Sequence, residues 1–255
     1  MRFGVLALAG LLALPAAAGA QTGGFEAQPP TNLVPVTRFA VTPWVGFRIP
    51  YGTGGGHVFA ATAEEQFQVA EARGGGWALG ITGEAQVQGP LSVVASLGYS
   101  AASEDEVRFT GRDSSTFGYQ IDGPEITFLK AGVQYRLPDP VPDERRFHPA
   151  AFVTVAPALV WMNYPDFTGD FDNDVSGTSR QFALNLGLDA VTMLNSRGLA
   201  LSFGVEDYLT FFDADHARRR DQLFIGTYLE DDVEVDYDYT YGNVLLFRAG
   251  VSWRF

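Results

Sequence analysis

The last twelve residues of the chain, 244–255, alternate in character with a period of two. From Leu245 to Phe255 every odd position is apolar, and the run ends on Trp253 and Phe255. The even positions hold small residues and two arginines beside two aliphatic side chains. Side chains alternate across a strand but not around a helix, so this segment is predicted to be a β-strand with two unlike faces. Such a strand belongs either to a soluble β-domain or to a membrane barrel that turns its apolar face outward to lipid.

The same alternation recurs seven times upstream. The predicted strands cover residues 38–49, 77–88, 91–100, 125–137, 150–162, 181–194, 199–212 and 244–255. Their connections are long and short in turn, and the long ones cover residues 50–76, 101–124, 163–180 and 213–243. Strands of this length cross a bilayer when tilted by about 45°. Long connections on one side and short turns on the other are typical of transmembrane barrels.

We therefore predict an all-β fold, an eight-stranded antiparallel up-and-down transmembrane β-barrel over residues 38–255. A soluble eight-stranded barrel of the lipocalin kind is the alternative, and it requires an apolar interior and a polar exterior. The face that carries Leu, Phe and Trp is continuous on all eight predicted strands, which favours the membrane barrel. Pro43 and Pro157 fall inside predicted strands and indicate β-bulges, since proline cannot donate to a ladder.

The amino terminus has the form of a secretory signal peptide over residues 1–20. Arg2 precedes a short apolar core, and Ala18–Gly19–Ala20 matches a small-residue cleavage site. Residues 21–37 then form a flexible lead with three prolines. The apolar core is too short to span a bilayer as a helix, and no other stretch offers about twenty uninterrupted apolar residues. The protein is thus expected to be exported and, if embedded, to be a closed barrel.

Charge and composition narrow the classes of function. The formal net charge of −13 argues against a nucleic-acid partner, and the absence of cysteine excludes disulfides and thiolate chemistry. The four long connections hold 21 acidic and 7 basic residues, an excess of 14 against 13 for the whole chain. The membrane-embedded part is therefore close to neutral, and the acidity is predicted to lie on extracellular loops. Loosely bound Ca²⁺ could bridge these loops to lipopolysaccharide.

By its alternating strands and by the terminal Val251–Ser252–Trp253–Arg254–Phe255, the chain resembles the small outer-membrane barrels of the OmpA-like and OmpW-like group. The resemblance implies the bacterial outer membrane, a monomer, contact with lipopolysaccharide, and insertion by the barrel-assembly machinery. Val251, Trp253 and Phe255 would then form its carboxy-terminal assembly signal. The sequence carries no peptidoglycan-binding domain after the eighth strand, so the wall-anchoring role of OmpA-like proteins is not implied.

Several charged residues fall on the predicted lumen face. They are Arg48, Lys130, Arg136, Arg248 and Arg254 among the bases, and Glu84, Asp189 and Glu206 among the acids. Charges in a narrow barrel must be paired. Glu206 and Arg248 lie at similar heights on antiparallel strands, so we predict that they are in contact. Glu84 and Asp189 would neutralise Lys130 or its neighbours. The network is either an internal plug or the gate of a polar channel.

Three motifs in the long connections are candidate binding or catalytic sites. The acidic run Asp170, Asp172 and Asp174 resembles a calcium loop but has Val175 at the sixth position and Gln181 at the twelfth, so a solvated acidic loop is expected. The basic run 218–220 either grips lipid phosphates or offsets its own loop's acids.

The third motif, Asp213, Asp215 and His216, is the best arrangement for a lipid-modifying hydrolase, but the His lacks the spacing to a Ser that a deacylase needs. We expect no enzyme and no cofactor. The leading prediction is a barrel with a structural or surface-interaction role. A small porin or OmpW-like conduit for small or apolar solutes is the alternative.

Overall fold

The computed structural model describes residues 38–51, 54–60, 66–72, 74–101, 104–110, 116–138, 149–164, 177–211, 233–237 and 241–255. In this part of the chain there are thirteen strands: β1 (Phe39–Tyr51), β2 (Gly54–Ala60), β3 (Gln66–Ala72), β4 (Gly76–Gln88), β5 (Leu91–Ser100), β6 (Glu104–Thr110), β7 (Thr116–Asp122), β8 (Glu125–Arg136), β9 (Ala150–Tyr164), β10 (Gly177–Met193), β11 (Leu199–Phe211), β12 (Val233–Tyr237) and β13 (Tyr241–Arg254). No helix among these residues is long and apolar enough to cross a membrane. The predicted signal peptide and lead lie outside the described residues.

Eight of the strands form a closed antiparallel barrel, in the order β1-β13-β11-β10-β9-β8-β5-β4. The first and last strands complete the circle by pairing with each other. At the end of the barrel that carries the short turns, Phe39 and Phe255 exchange two backbone hydrogen bonds of 2.9 Å, and their ring centres lie 6.3 Å apart. The predicted fold class is confirmed, and each barrel strand begins and ends within four residues of its predicted bounds.

The barrel has the inverted polarity that the sequence predicts. Large apolar side chains point away from the lumen and are exposed, with Trp77 72% and Phe182 71% accessible. Charged side chains point inward and are buried, with Lys130 2% and Glu206 1% accessible. A soluble barrel would reverse these positions, so this surface is suited to lipid rather than to water.

A second sheet, which the sequence does not predict, follows the barrel strands on the side of the long connections. Its five strands pair in the order β12-β2-β3-β6-β7. The stretches 50–76, 101–124 and 213–243, predicted as loops or left undecided, thus contain short strands of five to seven residues. β7 and β12 alternate apolar and polar residues, but strands of five to seven residues are shorter than the ten to seventeen residues of the barrel strands, so their alternation does not stand out in a long connection. The predicted loop 163–180 is also shorter, since β9 extends to Tyr164 and β10 begins at Gly177.

The bulges predicted at Pro43 and Pro157 are wrong. The pairing of β1 with β13 skips Thr42 and Pro43 and resumes in the same register at Trp44, opposite Gly250. The pairing of β8 with β9 is interrupted in the same way at Pro157 and its neighbour. The one register shift in the described barrel lies between Gln86 and Gln88, beside the β4–β5 turn.

Glycines explain how the wall stays regular at the prolines. A Cβ on Gly250 would overlap the backbone of Pro43, and a Cβ on Gly132 would overlap the backbone of Val155 and Ala156. The neighbouring strand therefore approaches more closely than a side chain would permit. The missing proline donor costs one ladder bond and leaves the strand order and register intact.

Glycine also makes room for the indole of Trp44 inside the barrel. Trp44 is buried, and its ring lies where a Cβ on Gly80 or Gly98 would stand. The indole nitrogen donates a 3.1 Å hydrogen bond to Thr82 Oγ1, so the ring is held at its polar edge. Gly83 on the same strand points outward and has open space around it.

We predict that Gly80→Ala lowers the free energy of unfolding by about 1–3 kcal/mol, because the added methyl overpacks the site of the indole. Gly83→Ala is the matched control, with an expected change within about 0.5 kcal/mol. Urea titration of the protein folded in lipid vesicles measures both. Equal effects of the two substitutions would contradict this packing of Trp44.

Candidate functional site in the barrel lumen

Four charged side chains from four strands meet at the middle of the lumen. Lys130 of β8 and Glu206 of β11 form an ion pair with 2.7 Å between Nζ and Oε1. Arg248 of β13 places Nε 2.6 Å from the same Glu206 oxygen and Nη2 2.7 Å from Oδ1 of Asp189 on β10. We call Lys130, Asp189, Glu206 and Arg248 the central quartet. With two cations and two anions it carries no net charge.

Neutral groups add two hydrogen bonds to the central quartet. The Tyr208 hydroxyl donates a 2.7 Å hydrogen bond to the second oxygen of Glu206, and Lys130 donates a 2.9 Å bond to Asn185 Oδ1. The second oxygen of Asp189 is buried and has no hydrogen-bond partner among the described residues. Because additional hydrogen bonds offset the desolvation cost of a buried ion pair, the Lys130–Glu206 pair is better compensated than Asp189.

A chain of hydroxyls links the quartet to β4 and β5. Arg248 Nη1 lies 3.4 Å from Thr82 Oγ1, which also accepts the indole hydrogen bond of Trp44. Thr82 Oγ1 and Ser96 Oγ are 2.9 Å apart. Side chains from β1, β4, β5, β8, β10, β11 and β13 thus meet in one hydrogen-bonded layer, which fills the barrel at this height.

A second ion pair lies nearer the end of the barrel that carries the short turns. Arg254 Nη2 is 3.0 and 3.2 Å from the two oxygens of Glu84, and Ser92 donates to Glu84 at 3.3 Å. The guanidinium also lies 5.5 Å from the centre of the Phe152 ring, within the range of cation–π attraction.

The half of the lumen on the side of the long connections is less polar than the layer around the central quartet. It is filled by buried apolar side chains that include Ile126, Phe128, Val160, Met162 and Leu246. The inward positions tolerate them because an eight-stranded barrel has room only for packed side chains. Arg48 is buried at this level, where its Nε donates a 3.1 Å hydrogen bond to Ser100 Oγ.

The structure brings Glu206 and Arg248 into contact, as the sequence indicated. It assigns the other partners differently: Lys130 is neutralised by Glu206, whereas Glu84 and Asp189 pair with arginines.

The Asp189–Arg248 contact has a sequence signal that was missed. Gly204 is the register partner of both residues, and a Cβ there would overlap the Asp189 carboxylate. An inward glycine between an acid and a base leaves the space in which they meet.

The remaining predicted site residues lie outside the lumen or outside the described part of the chain. Val251, Trp253 and Phe255 lie on the outward face of the closing strand and its end, and their role as an assembly signal stays a prediction. The Asp170, Asp172 and Asp174 run, the 218–220 run, and Asp213, Asp215 and His216 lie outside the described residues. Within the described ranges no group of three or more His, Cys, Asp or Glu residues could hold a metal ion.

Closed antiparallel pairing, an apolar exterior and a charge-paired lumen define the class. The chain is a small eight-stranded β-barrel of the bacterial outer-membrane type.

No family model matches the sequence, and a search of the curated proteins gives no match. Solved structures of outer-membrane barrels do match. The outer membrane protein OprG from Pseudomonas aeruginosa is 14% identical, with 85% of this chain and 96% of that chain covered and a TM-score of 0.41. AlkL, determined by solid-state NMR in DMPC bilayers, is 13% identical over 92% of this chain and 97% of that chain, with a TM-score of 0.38. Ail, the attachment invasion locus protein of Yersinia pestis, is 9% identical, with 84% of this chain and 98% of that chain covered and a TM-score of 0.32.

We predict that Arg248→Met destabilises the barrel by about 3–5 kcal/mol, because it leaves Asp189 as a buried charge without its ion-pair partner. The double variant Arg248→Met/Asp189→Leu should recover most of this loss, since the Lys130–Glu206 pair that remains is neutral. Urea unfolding in lipid vesicles measures both.

Arg254→Met serves as the control and should cost less than Arg248→Met, because the side chain of its partner Glu84 is 14% exposed and keeps some contact with water. A double variant as unstable as Arg248→Met alone would contradict the charge balance of the central quartet.

Proposed function

We propose that this protein is a closed membrane anchor that presents its second sheet and its acidic connections at the cell surface, in a structural or surface-interaction role. The observation that carries the proposal is the filled lumen. Lumen-facing side chains are buried at every level, from Arg254 near the periplasmic end through Glu206 to Arg48 near the extracellular end. A water-filled channel would leave such side chains accessible to solvent.

The wall supports the same proposal. A conduit that releases apolar solutes sideways needs a gap between two strands. In the described barrel, apart from the register shift between Gln86 and Gln88 beside a turn, the ladders are interrupted at Pro43 and Pro157, and a close-packed glycine of the neighbouring strand lies beside each proline. The close glycine packing at both places favours a sealed wall over the OmpW-like conduit, which was the alternative from the sequence.

The surface side of the proposal rests on charge. The long connections carry an acidic excess of 14, 21 acids less 7 bases, and five short strands lie within three of them. An acidic surface beside anionic lipopolysaccharide favours divalent cations or a cationic partner, because like charges otherwise repel. The surface partner would therefore be a cationic macromolecule or a cation-bridged lipopolysaccharide.

The filled lumen predicts that the purified protein conducts no ions in planar bilayers and admits no small sugars into liposomes. Single-channel recording and liposome swelling make the measurement, with a general porin as the positive control. Stable unitary conductance from the folded barrel would favour the small-porin alternative and overturn the closed anchor.

The absence of cysteine permits a test of which end of the barrel faces outward. Thr116→Cys places a thiol at an exposed position on β7, and Ser196→Cys places one in the exposed β10–β11 turn. On intact cells a membrane-impermeant maleimide should label Thr116→Cys and leave Ser196→Cys unlabelled until the cells are lysed. The reverse pattern would place the second sheet in the periplasm.

A further inference from the structure

An apolar groove of about 630 Å³ crosses the outer wall of the barrel. Its ridges are aromatic: Trp77, Phe47, Phe203 and Phe247 are all exposed, and the Trp77 and Phe47 rings meet edge to face at 5.6 Å. Ala249 and other half-buried alanines line one side of it.

Strand register shows how the groove is built. Along one row, Ala249 of β13 pairs with Phe203 of β11, and Ala190 of β10 pairs with Ala151 of β9. Along the next row lie Trp77, Phe47, Phe247, Val205 and Leu188, each the partner of the one before it. Between the two rows lie the inward positions Gly46, Arg248, Gly204 and Asp189, whose backbone forms the deepest part of a trough that follows the hydrogen-bonding direction. The alanines keep one side of the trough low, and Phe203 rises from that side.

The trough runs obliquely across the membrane. Trp77 is the second residue of β4, which begins at the extracellular end, whereas Ala151 is the second residue of β9, which begins at the periplasmic end. Six strands spaced by about 4.8 Å give a length of about 24 Å, comparable with the hydrocarbon core of about 30 Å. This is the shape of an extended chain.

The surroundings define what can enter. The β1–β13 and β11–β13 ladders are continuous beneath the groove from Val45 to Phe47, so it does not open into the lumen. It is part of the lipid-facing surface. At the periplasmic end, Arg197 lies exposed in the turn between β10 and β11, the two strands that carry the lower part of the groove. An arginine at that height matches the phosphate of a lipid headgroup.

We infer that the groove holds one acyl chain of a glycerophospholipid from the periplasmic leaflet, with the lipid phosphate at Arg197. The ridges confine the chain on both sides, so this lipid exchanges more slowly than its neighbours around the barrel. The choice of the periplasmic leaflet rests on the proposed orientation of the barrel, whereas the groove itself requires only the bilayer and is independent of whether the lumen conducts.

The test is native mass spectrometry of the folded full-length protein, released from detergent in the presence of palmitoyl-oleoyl phosphatidylglycerol. The unsubstituted protein should retain one lipid. Ala249→Phe fills the groove and removes the van der Waals contacts that hold the chain there, so most of the bound lipid should be lost. Ala95→Phe, at an outward alanine of β5 away from the groove, is the matched control and should bind as before. Arg197→Gln should lower retention of both phosphatidylglycerol and phosphatidylcholine, since both carry the phosphate, and leave retention of a phosphate-free diacylglycerol unchanged.

Equal retention by Ala249→Phe and Ala95→Phe would overturn the groove as the site. If Ala249→Phe fails to fold, Ala190→Phe fills the same row and takes its place. A dimer that Ala249→Phe disperses would show that a second copy of the chain occupies the groove and would also overturn the inference. Unchanged retention of phosphatidylglycerol by Arg197→Gln would show that the phosphate does not lie at Arg197.

Discussion

Backbone hydrogen bonding in a medium without water is the constraint on which the rest of this structure depends. Lipid offers no partner to an unpaired N–H or C=O, so the sheet must close on itself. The pairing of Phe39 with Phe255 closes it, and glycines at positions 132 and 250 keep the wall tight where prolines lack a donor. Because every neighbouring pair is antiparallel, including the first and last strands, the number of strands is even. The bilayer then selects apolar residues for the outer face.

The same closure decides what the interior can be. An eight-stranded circle leaves space for side chains and little else. Charges that enter it must arrive in balanced sets, and both the central quartet and the Arg254–Glu84 pair meet that condition. With apolar side chains such as Phe128 above them, these layers make the lumen a packed core. Function is then more readily located on the outside, at the second sheet and along the lipid-facing groove.

Sequence reasoning succeeds where one strong physical signal acts. Period-two alternation between lipid and lumen located all eight barrel strands and their faces, and it brought Glu206 to the height of Arg248. It failed where several weak signals compete. The strands of the second sheet are only five to seven residues long, and Pro43 suggested a bulge because the close approach of Gly250 is a tertiary property. The partner of Asp189 depends on the space left by Gly204, a signal that can be used only once the strand register is known.

The central claim is that lipid, rather than water, surrounds the outward face. Nitroxide labels at Leu201, Phe203 and Val205 of β11, in protein reconstituted into vesicles, test it by collision with oxygen and with a water-soluble nickel complex. The account predicts that oxygen relaxes all three labels strongly and that nickel barely affects Phe203, since oxygen concentrates in the hydrocarbon core. Strong relaxation by nickel at all three positions would place this face in water and contradict the account.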